Sequence, residues 1–189
     1  MQELELFPTK IYSGCMKDYH SYKDDLIDYI MRYSKNNPSL NYSNQIGYQS
    51  GHFLFKEESF QKYGGIIFDN LRPYMIKKVN EFNLYGNVIN LMISNLWFNI
   101  NYPGSFNLEH THPHSILSGV IWIKCPEKSG NLVLLDPSKH FLYGHSPTEY
   151  EFVPEEGKIL VFPSHISHRV NCNNSTEDRI SISFNITFA

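Results

Sequence analysis

Residues 110–119 read HTHPHSILSG, with three histidines on alternate positions directly before an apolar run. Side chains two apart in a β-strand point to the same side, so His110 and His112 can converge on one ion. A third ligand is predicted at His168, which follows the apolar run LVF at 160–162 and a short turn. Histidines on one face with open positions opposite are the arrangement that non-haem Fe(II) requires.

A second pattern lies eleven residues after His168, where residues 179–188 read RISISFNITF. Strand alternation places Arg179 and Ser181 on one face and the isoleucines on the other. An arginine on a buried face is costly unless it meets an anion, and its guanidinium matches a carboxylate with two parallel hydrogen bonds. Ser181 can donate one more. Together with the histidines, this face predicts an enzyme that binds a dicarboxylate by its end far from the metal.

Composition limits the class of protein. A chain of 189 residues with 15% aromatic and 19% charged residues fits one folded domain with its own core. The net charge of -3 does not favour binding to nucleic acid. Three widely spaced cysteines without CxxC indicate neither a disulfide framework nor a thiolate zinc site. No signal peptide or membrane-length apolar run is found, which predicts a cytoplasmic protein with no membrane partner.

The order of elements predicts a mainly β (α+β) protein. Helical spacing predicts helices over 17–34 and 57–82, the second with a break at Gly64-Gly65. Eight short strands are predicted near 88–101, 106–110, 116–124, 131–135, 150–153, 158–162, 167–172 and 179–188. We interpret residues 1–189 as a single domain, with an arm and buttressing helices over 1–85 and a jelly-roll, cupin-like core over 86–189. Loops near 43–56, 102–108 and 137–149 are expected to select the substrate.

An ordered set of motifs resembles the Fe(II)/2-oxoglutarate-dependent oxygenase superfamily, particularly its small members from bacteria and phages. The set comprises HTHP at 110–113, LSGV at 117–120, GNL at 130–132, DP at 136–137, FPS at 162–164, His168, and RISISFN at 179–185. The resemblance covers residues 90–188 and implies a double-stranded β-helix with iron at its open end. It also implies that 2-oxoglutarate chelates the metal while its distal carboxylate meets Arg179 and Ser181.

The sequence departs from this superfamily at His112, where the usual second ligand is a carboxylate. Three interpretations stay open: His112 ligates directly, Asp136 supplies the carboxylate, or only His110 and His168 bind. An imidazole at this position leaves the site one negative charge short. Metal binding should then be weaker unless nearby acids such as Glu109 compensate.

Five further residues are candidates for lining the site, each with a plain structural alternative. Ser118, Trp122 and Asn101 are candidates for contacting the cosubstrate; for Trp122 the alternative is core packing. Asn99 and His165 are candidates for lining the substrate, and for Asn99 and Asn101 the alternative is turn chemistry before Pro103-Gly104.

The residues and the resemblance together predict an oxidoreductase: a dioxygenase that uses Fe(II), O2 and 2-oxoglutarate to hydroxylate its substrate. The substrate is a peptide or protein side chain or a small metabolite, and succinate and CO2 are released. One alternative is a cupin-like jelly roll that binds a metal or ligand without 2-oxoglutarate chemistry. Another is a three-histidine dioxygenase that acts directly on its substrate. The pair Arg179 and Ser181 favours the first hypothesis, since a plain cupin has no need for it.

Overall fold

The computed structural model describes residues 8–40, 42–83, 90–137 and 148–189, in which two antiparallel β-sheets lie face to face. The helices are α1 (Lys23–Asn36) and α2 (Gln61–Asn83), with 3-10 turns at Tyr19–Ser21, Leu54–Lys56 and Glu58–Phe60. The strands are β1 (Tyr12–Cys15), β2 (Asn44–Gln45), β3 (Tyr48–Gln49), β4 (Leu91–Asn101), β5 (Phe106–His110), β6 (Leu117–Lys124), β7 (Leu132–Leu135), β8 (Glu149–Phe152), β9 (Lys158–Pro163), β10 (His168–Val170) and β11 (Arg179–Phe188).

The strands divide into a six-stranded sheet, in the order β1-β9-β6-β11-β4-β3, and a five-stranded sheet, in the order β2-β5-β10-β7-β8. From β4 onward the chain crosses repeatedly between the two sheets, and the strands within each sheet pair antiparallel. This topology is the predicted double-stranded β-helix, and all eight strands predicted for it are present.

The central strand β11 separates two cores. Its isoleucines at 180, 182 and 186 belong to a large apolar cluster that includes Leu26 and Ile30 of α1 and Leu71 of α2. Its opposite face borders the space between the sheets. A smaller apolar cluster lies there and contains Val120, Trp122, Leu132, Leu134, Leu160, Phe162 and Ile166. The alternation read from residues 179–188 therefore places the polar face of β11 inside the sandwich.

The N-terminal half differs from the expectation in two respects. Helix α2 runs through Gly64 and Gly65 without a break and also contains Pro73. Short strands β1, β2 and β3 add to β9, β5 and β4 respectively, although β2 and β3 lie in a stretch predicted as loop. Strands of two residues are too short to produce a readable alternation.

Two predictions fall partly outside the described residues. They are the boundary at 85/86 and most of the loop 137–149; the single-domain organisation stays a prediction. Among the described residues, no helix is long and apolar enough to cross a membrane.

Close packing at Gly119 in β6 provides a test of the sheet. A Cβ at Gly119 would lie 2.3 Å from the Phe184 ring and 2.4 Å from the backbone oxygen of Leu160. We expect Gly119→Ala to lower the free energy of unfolding in urea by about 1–3 kcal/mol, because a buried site is overpacked. Gly51→Ala is the control, since a Cβ there meets no atom within 4 Å. Equal denaturation midpoints for the two variants would contradict this packing.

Candidate metal centre

A β-bulge in β5 determines which of its side chains line the site. His110 pairs with His168 and Asn107 pairs with Val170, so β5 uses one more residue than β10 between the two pairs. Bulges of this kind redirect side chains beside functional sites. Here the bulge lets Asn107 and His110, three residues apart, both line the cavity between the sheets.

Three histidines meet at one end of this cavity. Their nearest ligand atoms all lie within 4.8 Å of one another, and the group consists of His110, His112 and His168. His110 ends β5, His168 begins β10, and His112 lies beyond the strand end, where its backbone N–H donates to the Ser164 carbonyl at 3.1 Å. Among the described residues this is the one group of three potential ligands close enough to hold an ion. Three converging imidazole nitrogens fit a transition-metal ion.

Backbone carbonyls orient two of the three rings. His110 Nδ1 lies 2.7 Å from the Leu108 carbonyl, and His168 Nδ1 lies 2.9 Å from the Ile166 carbonyl. A carbonyl can only accept, so each Nδ1 carries the proton and each Nε2 keeps its lone pair for a metal. The ring of His112 instead packs against Trp97, with ring centroids 5.6 Å apart.

The histidines are held in the neutral form that binds metal. Burial, followed by repulsion from the neighbouring imidazoles, lowers the pKa of His112 to about 3. Burial likewise lowers the pKa of His168 to about 4, and it lowers the pKa of His110. Near neutral pH no proton therefore competes with a metal for these nitrogens.

Arg179 lies in the same cavity as a buried cation. Its side chain belongs to a residue only 1% exposed, its Nε has no hydrogen-bond partner, and no acidic side chain among the described residues forms an ion pair with it. Burial lowers the pKa of Arg179 to about 10, which still leaves it protonated at neutral pH. A carboxylate would supply both the missing charge and the missing acceptors.

A series of hydrogen-bonded amide side chains, the amide chain, supports the guanidinium of Arg179. Arg179 Nη1 donates a long hydrogen bond of 3.5 Å to Asn101 Oδ1. Asn101 Nδ2 donates to Asn107 Oδ1 at 3.0 Å, and Asn107 Nδ2 donates to Ser43 Oγ at 3.2 Å. Asn101 thus contacts Arg179, and Asn101 therefore lies beside the expected cosubstrate site. The bulge residue Asn107 connects the guanidinium to the start of β2.

The structure brings several predicted residues into one cavity. Its lining includes the three histidines, Arg179, Ser181 and Asn99, all six of which the sequence predicts as site residues. The wall is completed by residues that were not predicted to line the site: Ser43, Trp97, Asn107, Gly119, Val120, Leu132, Phe162, Val170 and Ser183. Ser183 could have been found from the alternation of β11, whereas Asn107 was hidden because the bulge breaks the parity of β5.

Four polar candidates lie elsewhere. Asp136 lines a separate groove beside Ile11 and Phe152, because its N–H bonds to the Thr148 carbonyl and extends the β7–β8 pairing. His165 is exposed in another cavity, next to Tyr12 and Glu81. The structure therefore does not bring Asp136 or His165 into the cavity that the three histidines line.

Ser118 and Glu109 also lie outside the lining of this cavity. Ser118 Oγ lies 2.8 Å from both Ser164 Oγ and Asn185 Oδ1, in a buried polar cluster outside the cavity lining. Glu109 is exposed and accepts a hydrogen bond from Ser167 Oγ, and among the described residues it forms no ion pair with the three histidines.

Trp122 packs in the core, but its indole N–H could still contact a cosubstrate, as predicted. It is fully buried in the core between the sheets and faces Ser181 across the β6–β11 pairing. Its indole N–H has no partner among the described residues. Core packing is therefore what the structure shows, and a hydrogen bond from this N–H to a cosubstrate stays a prediction.

Comparisons with known proteins agree with this geometry. Residues 95–185 match the sequence model of a family described as "Putative 2OG-Fe(II) oxygenase". No curated protein sequence matches the chain.

Three solved structures share the fold at low sequence identity. A Pseudomonas putida prolyl-4-hydroxylase is 14% identical with a TM-score of 0.66, over 95% of this chain and 92% of that one. HygX from Streptomyces hygroscopicus, with nickel and 2-oxoglutarate bound, is 9% identical with a TM-score of 0.70, over 95% and 83%. A Trichoplax adhaerens prolyl hydroxylase, in complex with a hypoxia inducible factor peptide fragment, is 13% identical with a TM-score of 0.63, over 94% and 83%.

The lowered histidine pKa values predict an acid-sensitive fold. Unfolded histidines bind protons with a pKa of about 6.5, whereas folded His112 and His168 stay neutral to about 3 and 4. The unfolded state therefore binds more protons in this window, and the metal-free protein should lose stability as pH falls from about 6.5 to about 4. We expect His112→Gln and His168→Gln each to flatten this dependence in thermal unfolding, with the exposed His114→Gln as control. A slope unchanged by both site variants would contradict the assignment.

Proposed function

We propose that the chain is a member of the Fe(II)/2-oxoglutarate-dependent oxygenase superfamily and that it hydroxylates a C–H bond of a peptide side chain or small metabolite. Its cofactor is Fe(II), and its cosubstrates are 2-oxoglutarate and O2. We assign His110, His112 and His168 to the iron, and Arg179 and Ser181 to the distal carboxylate of 2-oxoglutarate. Asn101 would position Arg179 through the contact between their side chains.

Each group of residues has a separate task in this proposal. Iron with 2-oxoglutarate supplies the oxidising chemistry, which splits 2-oxoglutarate into succinate and CO2. The carbonyls of Leu108 and Ile166 fix two imidazoles so that their Nε2 atoms would be available to bind the ion. Arg179 fixes the far end of the cosubstrate by charge and fork geometry, while the apolar side chains between the sheets exclude water.

The observation that carries the proposal is an unpaired, buried guanidinium in the same cavity as three neutral imidazoles. A cupin-like binding protein would gain nothing from this cation, and a burial cost of several kcal/mol would remain without offset. A three-histidine dioxygenase without 2-oxoglutarate would leave Arg179 equally unused. A dicarboxylic cosubstrate gives both ends of the cavity a partner.

The substrate class follows from more general features. The cavity wall beyond the histidines carries neutral groups, among them Trp97, Asn99 and Asn107. Among the proteins of similar fold, one is bound to a peptide fragment. These features support a peptide or small neutral metabolite as the hydroxylated molecule, and they do not favour a nucleic acid. Formation of succinate from 2-oxoglutarate by the Fe(II)-loaded protein is the direct test of the activity.

Replacing Arg179 should separate cosubstrate binding from folding. We expect Arg179→Met to leave the metal-free protein at least as stable as wild type, because an unpaired buried charge is removed. With Ni(II) bound, wild type should gain about 2.7 kcal/mol at 2-oxoglutarate concentrations near one hundred times Kd, and the variant should gain nothing. Thermal unfolding with and without 2-oxoglutarate measures this difference.

Arg169→Met is the matched control, because Arg169 forms a surface ion pair with Glu149. It should retain the full response to 2-oxoglutarate. A normal response in Arg179→Met would refute the assigned role of the guanidinium.

The missing carboxylate predicts that metal and cosubstrate depend on each other. A divalent ion next to buried Arg179 leaves the cavity without negative charge, so dianionic 2-oxoglutarate should tighten Ni(II) binding, within about 5- to 150-fold for typical couplings. His112→Asp should bind Ni(II) more tightly than wild type without 2-oxoglutarate and show a smaller coupling. Calorimetric titration gives both constants.

The exposed His114→Asp introduces the same charge outside the triad and serves as control. If it changed Ni(II) affinity as much as His112→Asp, a general charge effect would replace the proposed ligation by His112.

A further inference from the structure

A continuous series of aromatic rings runs from the metal centre to the surface. The rings of His112 and Trp97 have centroids 5.6 Å apart, those of Trp97 and His52 are 5.1 Å apart, and those of His52 and Tyr42 are 4.6 Å apart. The last pair is stacked, with 28° between the ring planes. We call these four residues the ring chain.

The burial of the ring chain changes stepwise along its length. Trp97 is 6% exposed and lines the cavity with the histidines, His52 is half-buried, and Tyr42 is 55% exposed. A backbone hydrogen bond fixes the position of His52, because the Leu96 N–H donates to the His52 carbonyl at 2.8 Å. Gln49 adds a side-chain contact of 3.2 Å to His52 Nε2.

No comparable series leaves the triad elsewhere in the described part of the chain. His168 also contacts the ring of Phe162, 4.9 Å away, but Phe162 is 2% exposed and leads no further. Tryptophan and tyrosine are, moreover, the side chains that lose one electron most readily apart from cysteine. The ring chain places Trp97 directly beside His112 and Tyr42 at its outer end.

We propose that the ring chain conducts electrons from Tyr42 to the metal centre when 2-oxoglutarate is consumed without substrate. This inference rests on the proposed function. In such a turnover 2-oxoglutarate, O2, two electrons and two protons give succinate, CO2 and water. Tyr42 supplies the electrons one at a time and releases its phenolic proton to solvent. A soluble one-electron reductant, such as ascorbate or a thiol, then restores the phenol before the next transfer.

The chemistry of each ring suits this task. Trp97 is the oxidisable side chain next to a metal ligand, so without a supply of electrons it would itself be damaged. His52 stays neutral because burial lowers its pKa. When an electron moves from Tyr42 to Trp97, a positive charge moves in the opposite direction, and a neutral His52 does not repel this charge. Tyr42 is accessible to solvent, where both its proton and a reductant can be exchanged. Simple aromatic packing explains the contacts but requires no such order of exposure.

The test uses the Fe(II)-loaded protein with 2-oxoglutarate and O2, without substrate or reductant. Freeze-quenched samples are examined by electron paramagnetic resonance for a tyrosyl radical, by gel electrophoresis for dityrosine-linked dimers, and by peptide mass mapping. Succinate is measured in the same samples. We expect a radical and dimers at Tyr42 in wild type. Tyr42→Phe should lose both and accumulate oxygen on Trp97, and His52→Leu should lose the radical while retaining Tyr42.

Tyr102→Phe is the matched control, because Tyr102 is 36% exposed but makes no ring contact with the triad or the ring chain. It should behave as wild type. Succinate formation with identical oxidation products in wild type and Tyr42→Phe would overturn the inference.

A second arm separates this inference from the proposed function. Hydrogen peroxide added to the Fe(II)-loaded protein delivers two oxidising equivalents to the metal without 2-oxoglutarate. Two electrons and two protons convert each peroxide molecule to two molecules of water. Absence of succinate in the first arm would contradict the proposed function alone. A Tyr42 radical in the peroxide arm, lost in Tyr42→Phe and His52→Leu, would still support the ring chain, and its absence from wild type would overturn it.

Discussion

The unpaired positive charge of Arg179 is the constraint on which the arrangement of the molecule depends. Removing such a cation from water costs several kcal/mol, and a purely structural residue at this position would be apolar. The fold tolerates it because β11 lies between β4 and β6, with an extensive apolar core against the helices on its other face. The amides of Asn101 and Asn107 then provide partial dipoles where an ion pair is missing. Arg179 therefore remains a buried cation without an ion-pair partner among the described residues.

The other end of the cavity is built by the opposite device, which is the removal of charge. Burial keeps the imidazoles neutral, and the carbonyls of Leu108 and Ile166 turn two of them toward a common point. One bulge in β5 serves both ends, since it presents His110 to the triad and Asn107 to the amide chain. A small backbone irregularity therefore helps to set the spacing between the three histidines and Arg179.

Sequence patterns revealed what depends on regular strands and missed what depends on irregular ones. The alternation of residues 179–188 predicted the inward face of Arg179, and the histidine spacing predicted the triad that the structure brings together. Asn107 was missed because a bulge reverses parity, and Asp136 was misplaced because its backbone extends the pairing with β8. Trp97 was missed for another reason. An aromatic residue in a buried strand looks the same in sequence whether it packs in a core or lines a cavity.

The imidazole at His112 also bears on which molecules the site can accept. With three neutral ligands, a divalent ion, the Arg179 cation and a dianionic cosubstrate leave a single net positive charge, whereas a carboxylate ligand would bring the sum to zero. The described wall around the triad, including Trp97, Asn99 and Ser183, adds no charge of its own. A cationic group close to the metal would therefore be repelled more strongly here than in a site with a carboxylate ligand. Neutral or anionic groups suit the charge of the proposed site better, so ligation by His112 would restrict the range of substrates as well as the metal chemistry.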